Sequence, residues 1–343
     1  MKKDILAEIS QEYGLPVLGF IGSPENGISA HNAIVETKDG STYFIKNYKK
    51  TDAERRDNSE SVEFFVATNS DIPVVLPLKN INERFHIIIN DKMYSVFKNI
   101  KHKEYKSVDE INKIKLADNL GLMLGKIHDI SNNHSIPETI NTILSWVIED
   151  KEKSILELQK TKVLINSKDK LDEYDERALL LIELKISLLV ETNFKKKEKE
   201  PEVICHGDYH RANILFNDGD DIIGVCDWDI SGKSNPYIEF VRSYNMCVIR
   251  KDFIHYQEKR EFSKAFIRGY INNCNFTFDL LELNYAIESW YQTVISSTFP
   301  LSDHYYLNHT KTDSSLDSEM DKIMFLKNNR ISLFEYIKSF IEI

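Results

Sequence analysis

Residues 203–229 constrain the fold of this 343-residue chain more tightly than any other segment. Val203-Ile204-Cys205 is an apolar run suited to a strand and too short for a helix, and it stops at His206-Gly207-Asp208. The stretch up to Asn213 must then curl back so that Ile214-Leu215-Phe216 can form the next strand. After the turn residues Asn217-Asp218-Gly219-Asp220-Asp221, a third strand from Ile222 to Cys226 ends at Asp227, with Trp228 and Asp229 behind it. Asp208, Asn213 and Asp227 are thereby delivered to neighbouring strand ends.

The rest of the chain divides by its periodicity. In the first hundred residues the β-rich runs are Pro16–Ile21, Asn32–Thr37, Ser41–Lys46, Phe85–Ile89 and Met93–Phe97, with Asp39-Gly40 and Asn90-Asp91 between successive runs as hairpin turns. One helix, Ala53 to Asn69, interrupts them and is ended by Ile72-Pro73. From Val108 onward the spacing of Ile111, Ile114, Leu120, Leu124 and Ile127 is helical, and two further helices are expected at Thr139–Leu164 and Asp172–Glu191. The charged run Lys195–Glu200 reads as a connector. From Tyr237 to the C terminus the pattern is mostly helical, with an irregular polar interval at Pro300–Asp317. The expected fold class is therefore α+β with two lobes. Residues 1–98 form an antiparallel sheet with one main helix and end in a connector at 96–99; residues 99–343 form a mainly helical lobe containing the 203–216 loop and the 222–229 strand end.

Charge and cysteine usage narrow the function classes. A formal charge of −10 argues against a nucleic-acid partner, which calls for a basic patch, and leaves room for an acidic pocket facing a cationic substrate. Cys205, Cys226, Cys247 and Cys274 have no C-x-x-C spacing and read as free thiols in a reducing compartment. No run of about 18 apolar residues is present and Met1–Ile9 lacks a leader pattern, so the expected location is the cytoplasm, with no membrane partner.

The residue types at the strand ends suit phosphoryl transfer. A carboxylate at Asp208 can orient an attacking hydroxyl and accept its proton; the Asn213 side-chain oxygen and Asp227 are hard ligands suited to Mg2+ on the β- and γ-phosphates, and Asp229 is a second metal candidate. With His206-Gly207-Asp208-Tyr209-His210-Arg211-Ala212-Asn213 and Asp227-Trp228-Asp229, the chain resembles the aminoglycoside phosphotransferase and choline kinase family, small-molecule relatives of protein kinases. The resemblance implies a two-lobed kinase-like fold, ATP or GTP as donor, Asp208 as catalytic base, and Asn213 and Asp227 as magnesium ligands. His206 would shape the loop, and His210 stands where protein kinases place a phosphate-contacting lysine.

The same family pattern asks the small lobe for a strand lysine on the phosphates, held by a helix glutamate. Lys46 fits the first role and Glu60 the second, with Glu63 as competitor on the same helix. The loop between the first two strands is placed to cover the phosphates through Gly27 and Ser29, and adenine is expected against the connector at Phe97, Lys98 and Asn99.

Only eight residues separate Asp227 from Pro236, too few for the activation segment with which a protein kinase binds peptides, so the expected acceptor is the hydroxyl of a small molecule. Candidate acceptor contacts are Glu239, at the place of an Asp common in the family, and Glu288, Trp290 and Tyr291. Acids beside aromatics there suit a cationic acceptor, while burial in an amphipathic helix is the competing reading. An aminoglycoside kinase linked to antibiotic resistance, a metabolic kinase of choline, homoserine or methylthio-sugar type, and a non-catalytic binding or coat-like protein on the same fold remain open.

Overall fold

The structure, a computed structural model, describes residues 3–22, 32–49, 53–103, 113–143, 151–194, 201–249, 259–307 and 310–341. The chain forms two compact units, one of residues 1–111, 133–141 and 206–232, the other of 112–132, 142–205 and 233–343. The 206–232 segment thus groups with the N-terminal sheet, where the sequence had placed the boundary at 98/99. Its reason is hydrogen bonding: Val225 N–H donates to the Pro73 carbonyl at 2.8 Å, Val75 N–H to the Val225 carbonyl at 2.9 Å, and Lys103 N–H to the Phe216 carbonyl at 2.8 Å.

The first unit is built on an antiparallel sheet of five strands: β1 (Val17–Gly22), β2 (Ala33–Thr37), β3 (Thr42–Lys49), β4 (Ile87–Ile89) and β5 (Lys92–Lys98), in the order β1-β2-β3-β5-β4. One face carries Val35, Ile45, Ile89, Tyr94 and Val96, packed with Ile9 and Tyr13. Ile9 belongs to α1 (Lys3–Glu12), a helix that the expectation of one helix omits. Because strand side chains alternate, burial of Ile45 on that face turns Lys46 to the other.

Helix α2 (Ala53–Asn69) matches its expected bounds but not its expected character. Its buried positions are Arg56, Ser59, Val62, Glu63 and Val66, so a helix of weak apolar periodicity packs a charged residue pair inward. Two short strands, β7 (Ile214–Phe216) and β8 (Ile222–Val225), pair antiparallel and complete the unit.

The second unit is mainly helical. Helix α3 (Ile114–Asn133) buries Leu116, Leu120, Leu124 and Ile127, most of the face its spacing predicts, while Ile114 at its first turn is exposed and Ile111 lies outside the described residues. Helix α4 (Lys151–Asn166) starts later than expected, since Ile140 N–H donates to the Pro137 carbonyl in a turn and Thr142 bridges to Lys233. Helix α5 (Glu173–Glu191) opens on a capping box in which Asp172 and Asp175 each accept the other's backbone N–H, an arrangement worth about 1 kcal/mol.

Strand β6 (Val203–Cys205) pairs with β9 (Gly232–Ser234), and α6 (Pro236–Tyr244) follows, capped by Asn235 with proline at its first turn. Helices α7 (Arg260–Ile271), α8 (Leu280–Ser296), α9 (Leu301–Leu307) and α10 (Ser315–Ile341) complete the unit; α9 occupies part of the interval read as irregular. Among the described residues no helix is long and apolar enough to cross a membrane. The Lys195–Glu200 connector lies outside the described residues.

Candidate active site

The 206–213 loop is shaped by His206. Fully buried, it accepts the Asp208 N–H on Nδ1 (3.2 Å) and donates from Nε2 to the Cys226 carbonyl (3.0 Å), which fixes a neutral tautomer and ties the loop to the end of β8. Its ring packs against Trp228, centroids 4.5 Å apart, and Trp228 Nε1 donates to the Val225 carbonyl. Gly207 adopts φ +86°, and a Cβ there would lie 2.3 Å from the Ile230 carbonyl oxygen. Only glycine lets these two backbone segments approach so closely.

Asn213 ends a 3-10 turn, Arg211–Asn213, that is capped by His210, whose Nδ1 accepts the Ala212 N–H at 3.2 Å. With Nδ1 accepting, the proton of a neutral His210 lies on Nε2, which stands 3.4 Å from Asp208 Oδ2. Asn213 Nδ2 donates to the Asp208 carbonyl at 2.9 Å and lies 3.4 Å from Asp208 Oδ2. Its amide oxygen is left to act as a hard ligand. His210 therefore sits beside the candidate base, fixing the turn and facing the carboxylate.

Asp227 leaves β8 in a left-handed conformation, φ +64°, at a cost of about 1–2 kcal/mol for a residue with a Cβ. The preceding N–H, that of Cys226, donates to the Asn213 carbonyl at 2.9 Å. The twist directs the Asp227 carboxylate to Lys46, with Nζ 2.6 Å from Oδ1; Lys46 Nζ is also 2.7 Å from Asp229 Oδ2. Burial works against the Lys46 ammonium, but Asp227, Tyr48 and Asp229 outweigh it and hold its pKa well above the ordinary lysine value. Burial likewise opposes ionisation of Asp227, and Lys46 overcomes it, keeping this carboxyl below its usual range. The site is thus poised with an ionised Asp227 at neutral pH.

Helix α2 contributes differently from the expectation. Glu60 Oε1 is 3.1 Å from Arg56 Nε and 3.1 Å from His86 Nδ1, and Glu63 takes Arg56 through two bonds of 3.0 and 2.8 Å. Neither glutamate pairs with Lys46 among the described residues, because Arg56 satisfies both from one turn and two turns away on the same helix. Burial pushes the Glu63 carboxyl up to about 7 against the pull of Arg56. Arg56 was missed in the sequence, although its spacing of four and seven from the two acids was a readable signal.

Other expected contacts fall elsewhere. Phe97 and Lys98 lie within β5, the Val96 carbonyl accepts Leu78 N–H at 2.7 Å, and Asn99 N–H donates to the Thr42 carbonyl at 3.0 Å. Of the backbone groups in the stretch expected to meet a base, the Asn99 N–H is therefore already bonded. Gly27 and Ser29 lie outside the described residues.

The acceptor candidates of the second unit differ in their surroundings. Glu239 is fully buried, 2.9 Å from His128 Nε2, while the Tyr270 hydroxyl lies 2.8 Å from His128 Nδ1. Burial and Glu239 together raise the Cys205 thiol well above its ordinary pKa. Glu288 pairs with Arg330 Nε at 2.8 Å, and the Arg330 guanidinium lies 4.0 Å over the Tyr291 ring. Trp290, 7 % exposed, is set between Arg242 and Lys322 at 5.9 and 6.0 Å. Glu239 and Tyr291 are thus engaged in internal contacts, whereas the Glu288 side chain stays 36 % exposed and the buried Trp290 Nε1 has no hydrogen-bond partner among the described residues.

Solved structures similar to the chain include an amicoumacin kinase in complex with AMP-PNP, Ca2+ and Ami, 14 % identical with a TM-score of 0.62 over 96 % of this chain and 92 % of that one. The spectinomycin phosphotransferase APH(9)-Ia, in complex with ADP and spectinomycin, is 14 % identical, TM-score 0.62, over 100 % and 99 %. A microcompartment-associated aminopropanol kinase is 14 % identical, TM-score 0.59, over 96 % and 98 %. These likenesses establish the two-lobed kinase-like fold. No curated protein sequence matches the chain. A family model described as the phosphotransferase enzyme family matches residues 23–281, a span that contains Lys46, α2, the 206–213 loop and Asp227, and the chain belongs to that family of phosphotransferases.

Proposed function

We propose that this phosphotransferase moves the γ-phosphoryl group of ATP to a hydroxyl of a small molecule, with Mg2+ as the metal. The observation that carries the reading is the meeting of Asp208, Asn213, Asp227 and Lys46 around one loop and one strand end. Asp208 accepts the acceptor's hydroxyl proton, its carboxylate oriented by His210 and Asn213. The Asn213 oxygen and the ionised Asp227 are hard donors suited to Mg2+, which when bound would neutralise charge developing on the phosphates. Lys46 serves the phosphates as a compact cation. Adenine nucleotides in two of the similar structures support ATP over GTP.

For the acceptor, the short path from Asp227 to α6 favours a small molecule over a peptide. A strongly cationic acceptor loses the support of Glu239 and Glu288, since both are paired internally. The spectinomycin, amicoumacin and aminopropanol kinases among the similar structures define the acceptors to screen, by nucleoside diphosphate release. A cytoplasmic location, with no nucleic-acid or membrane partner, is part of the proposal.

The test of mechanism is Asp208→Asn. With an acceptor in hand, turnover should fall by about three orders of magnitude while Mg-ATP still binds, because the base acts on the acceptor and not on the nucleotide. A variant as active as the parent would overturn the assignment.

A further inference from the structure

In a kinase-like small lobe that used a lysine–glutamate pair, the helix would be registered to the sheet by the lysine. Here that pair is absent among the described residues, and α2 is held to the metal-ligand segment by other groups. Arg56 is 2 % exposed and spreads its guanidinium over three carboxylates: both oxygens of Glu63 at 3.0 and 2.8 Å, Glu60 at 3.1 Å, and Asp229 Oδ1 at 3.7 Å. Its face lies over the Tyr48 ring at 5.5 Å and the Phe97 ring at 5.9 Å, so two strands of the sheet limit where it can move. A second tie runs parallel to the first, from Asn58 Nδ2 to the Ser231 carbonyl at 2.8 Å.

Asp229 is the joint of this arrangement. One of its oxygens meets Lys46 and the other faces Arg56, so each is turned toward a protein cation. That leaves Asn213 and Asp227 as the oxygen donors free of such a double engagement.

We propose that Arg56 is a positioning residue of the nucleotide site, which registers α2 to the Asp227–Asp229 segment through Asp229 and thereby sets where Lys46 stands. The inference rests on the reading of Lys46 and Asp227 as phosphate and metal contacts. Arginine is needed because its planar fork meets Glu63 with two nitrogens while still facing Asp229; a lysine offers one compact charge. The carboxylates of α2 then act on the site through Arg56 and not by gripping Lys46.

Removing Arg56 alone would strand the buried Glu63, so the informative variants are the double Arg56→Met/Glu63→Gln and the single Arg56→Lys. Dissociation constants for Mg-ADP are measured by calorimetry, KM for ATP and for the acceptor are separated, and denaturation midpoints are recorded without nucleotide. We expect Mg-ADP affinity and KM for ATP to worsen about tenfold or more in the double variant and less in Arg56→Lys, with acceptor KM unchanged, as displacement of a site by its supporting shell requires. If either folded variant binds Mg-ADP as tightly as the parent, the inference is overturned. A parent that binds no Mg-nucleotide would instead overturn the reading on which it rests, and the parent titration alone makes that distinction.

Discussion

Lys46 in the first unit and Lys185 in the second are both drawn away from water, yet their surroundings push them in opposite directions. Lys46 meets two carboxylates at 2.6 and 2.7 Å and is held well above its ordinary pKa. Lys185, fully buried, donates to the Val294 and Ser297 carbonyls at 3.1 and 2.6 Å and reaches one acid, Glu319, at 3.4 Å; burial lowers it to about 8. Carbonyl dipoles satisfy the ammonium as a donor without repaying its desolvation, whereas paired carboxylates do both. An acid-rich setting marks a place prepared to receive further positive charge, and a carbonyl-clad one marks a fastening between helices.

The contrast breaks most visibly in activity. Lys46→Met should reduce turnover by about 10²- to 10³-fold, whereas Lys185→Met should leave the turnover of the folded enzyme within about twofold; steady-state kinetics corrected for folded fraction separate them. Comparable losses would erase the distinction between site and fastening.

In stability the order reverses. Glu319→Gln removes the one acid facing Lys185 and also the partner that Lys322 meets at 2.5 Å, and should cost about 3 kcal/mol in chemical denaturation, since it leaves a buried charge without a counterion. A cost below about 1 kcal/mol would mean that the two carbonyls suffice.

A more gradual effect is in pH. Between about 8 and 10.5 the unfolded chain binds a proton at position 185 that the folded chain has released, so this group makes stability rise with pH by on the order of 1 kcal/mol per unit. Buried thiols oppose the trend, because burial raises Cys226 and Cys274 to about 12. The difference between the parent and Lys185→Met isolates the lysine, and a flat difference from pH 8 to 10 would contradict its depressed pKa.

Much of this arrangement could be read in the sequence where a local pattern carried it. The strand run Ser41–Lys46 together with the family pattern singled out Lys46, and the apolar runs around Asp208 and Asp227 located three short strands. What escaped depended on partners distant in sequence or on competition within one helix. Lys185 lies in an amphipathic segment where a lysine ordinarily reaches solvent, and only α8 and α10 make it internal. Glu60 and Glu63 looked like partners of Lys46 because the sequence contains both, but nothing in that pattern weighs a lysine across the sheet against an arginine four and seven residues away. Helix α1 was missed because Ile5, Leu6 and Ile9 form too brief a stripe to announce a helix, and the sheet beneath them supplies the rest.

The contact at Gly207 has a consequence for reading other chains. Asp208, Asn213 and Asp227 can all be spelled correctly while position 207 bears a side chain, and the Ile230 carbonyl would then be pushed outward, carrying the Asp227–Asp229 segment with it. Such a chain would preserve every letter of the chemistry and lose its spacing. The residue with no side chain is therefore the one to inspect first when deciding whether a sequence of this kind still describes a working enzyme.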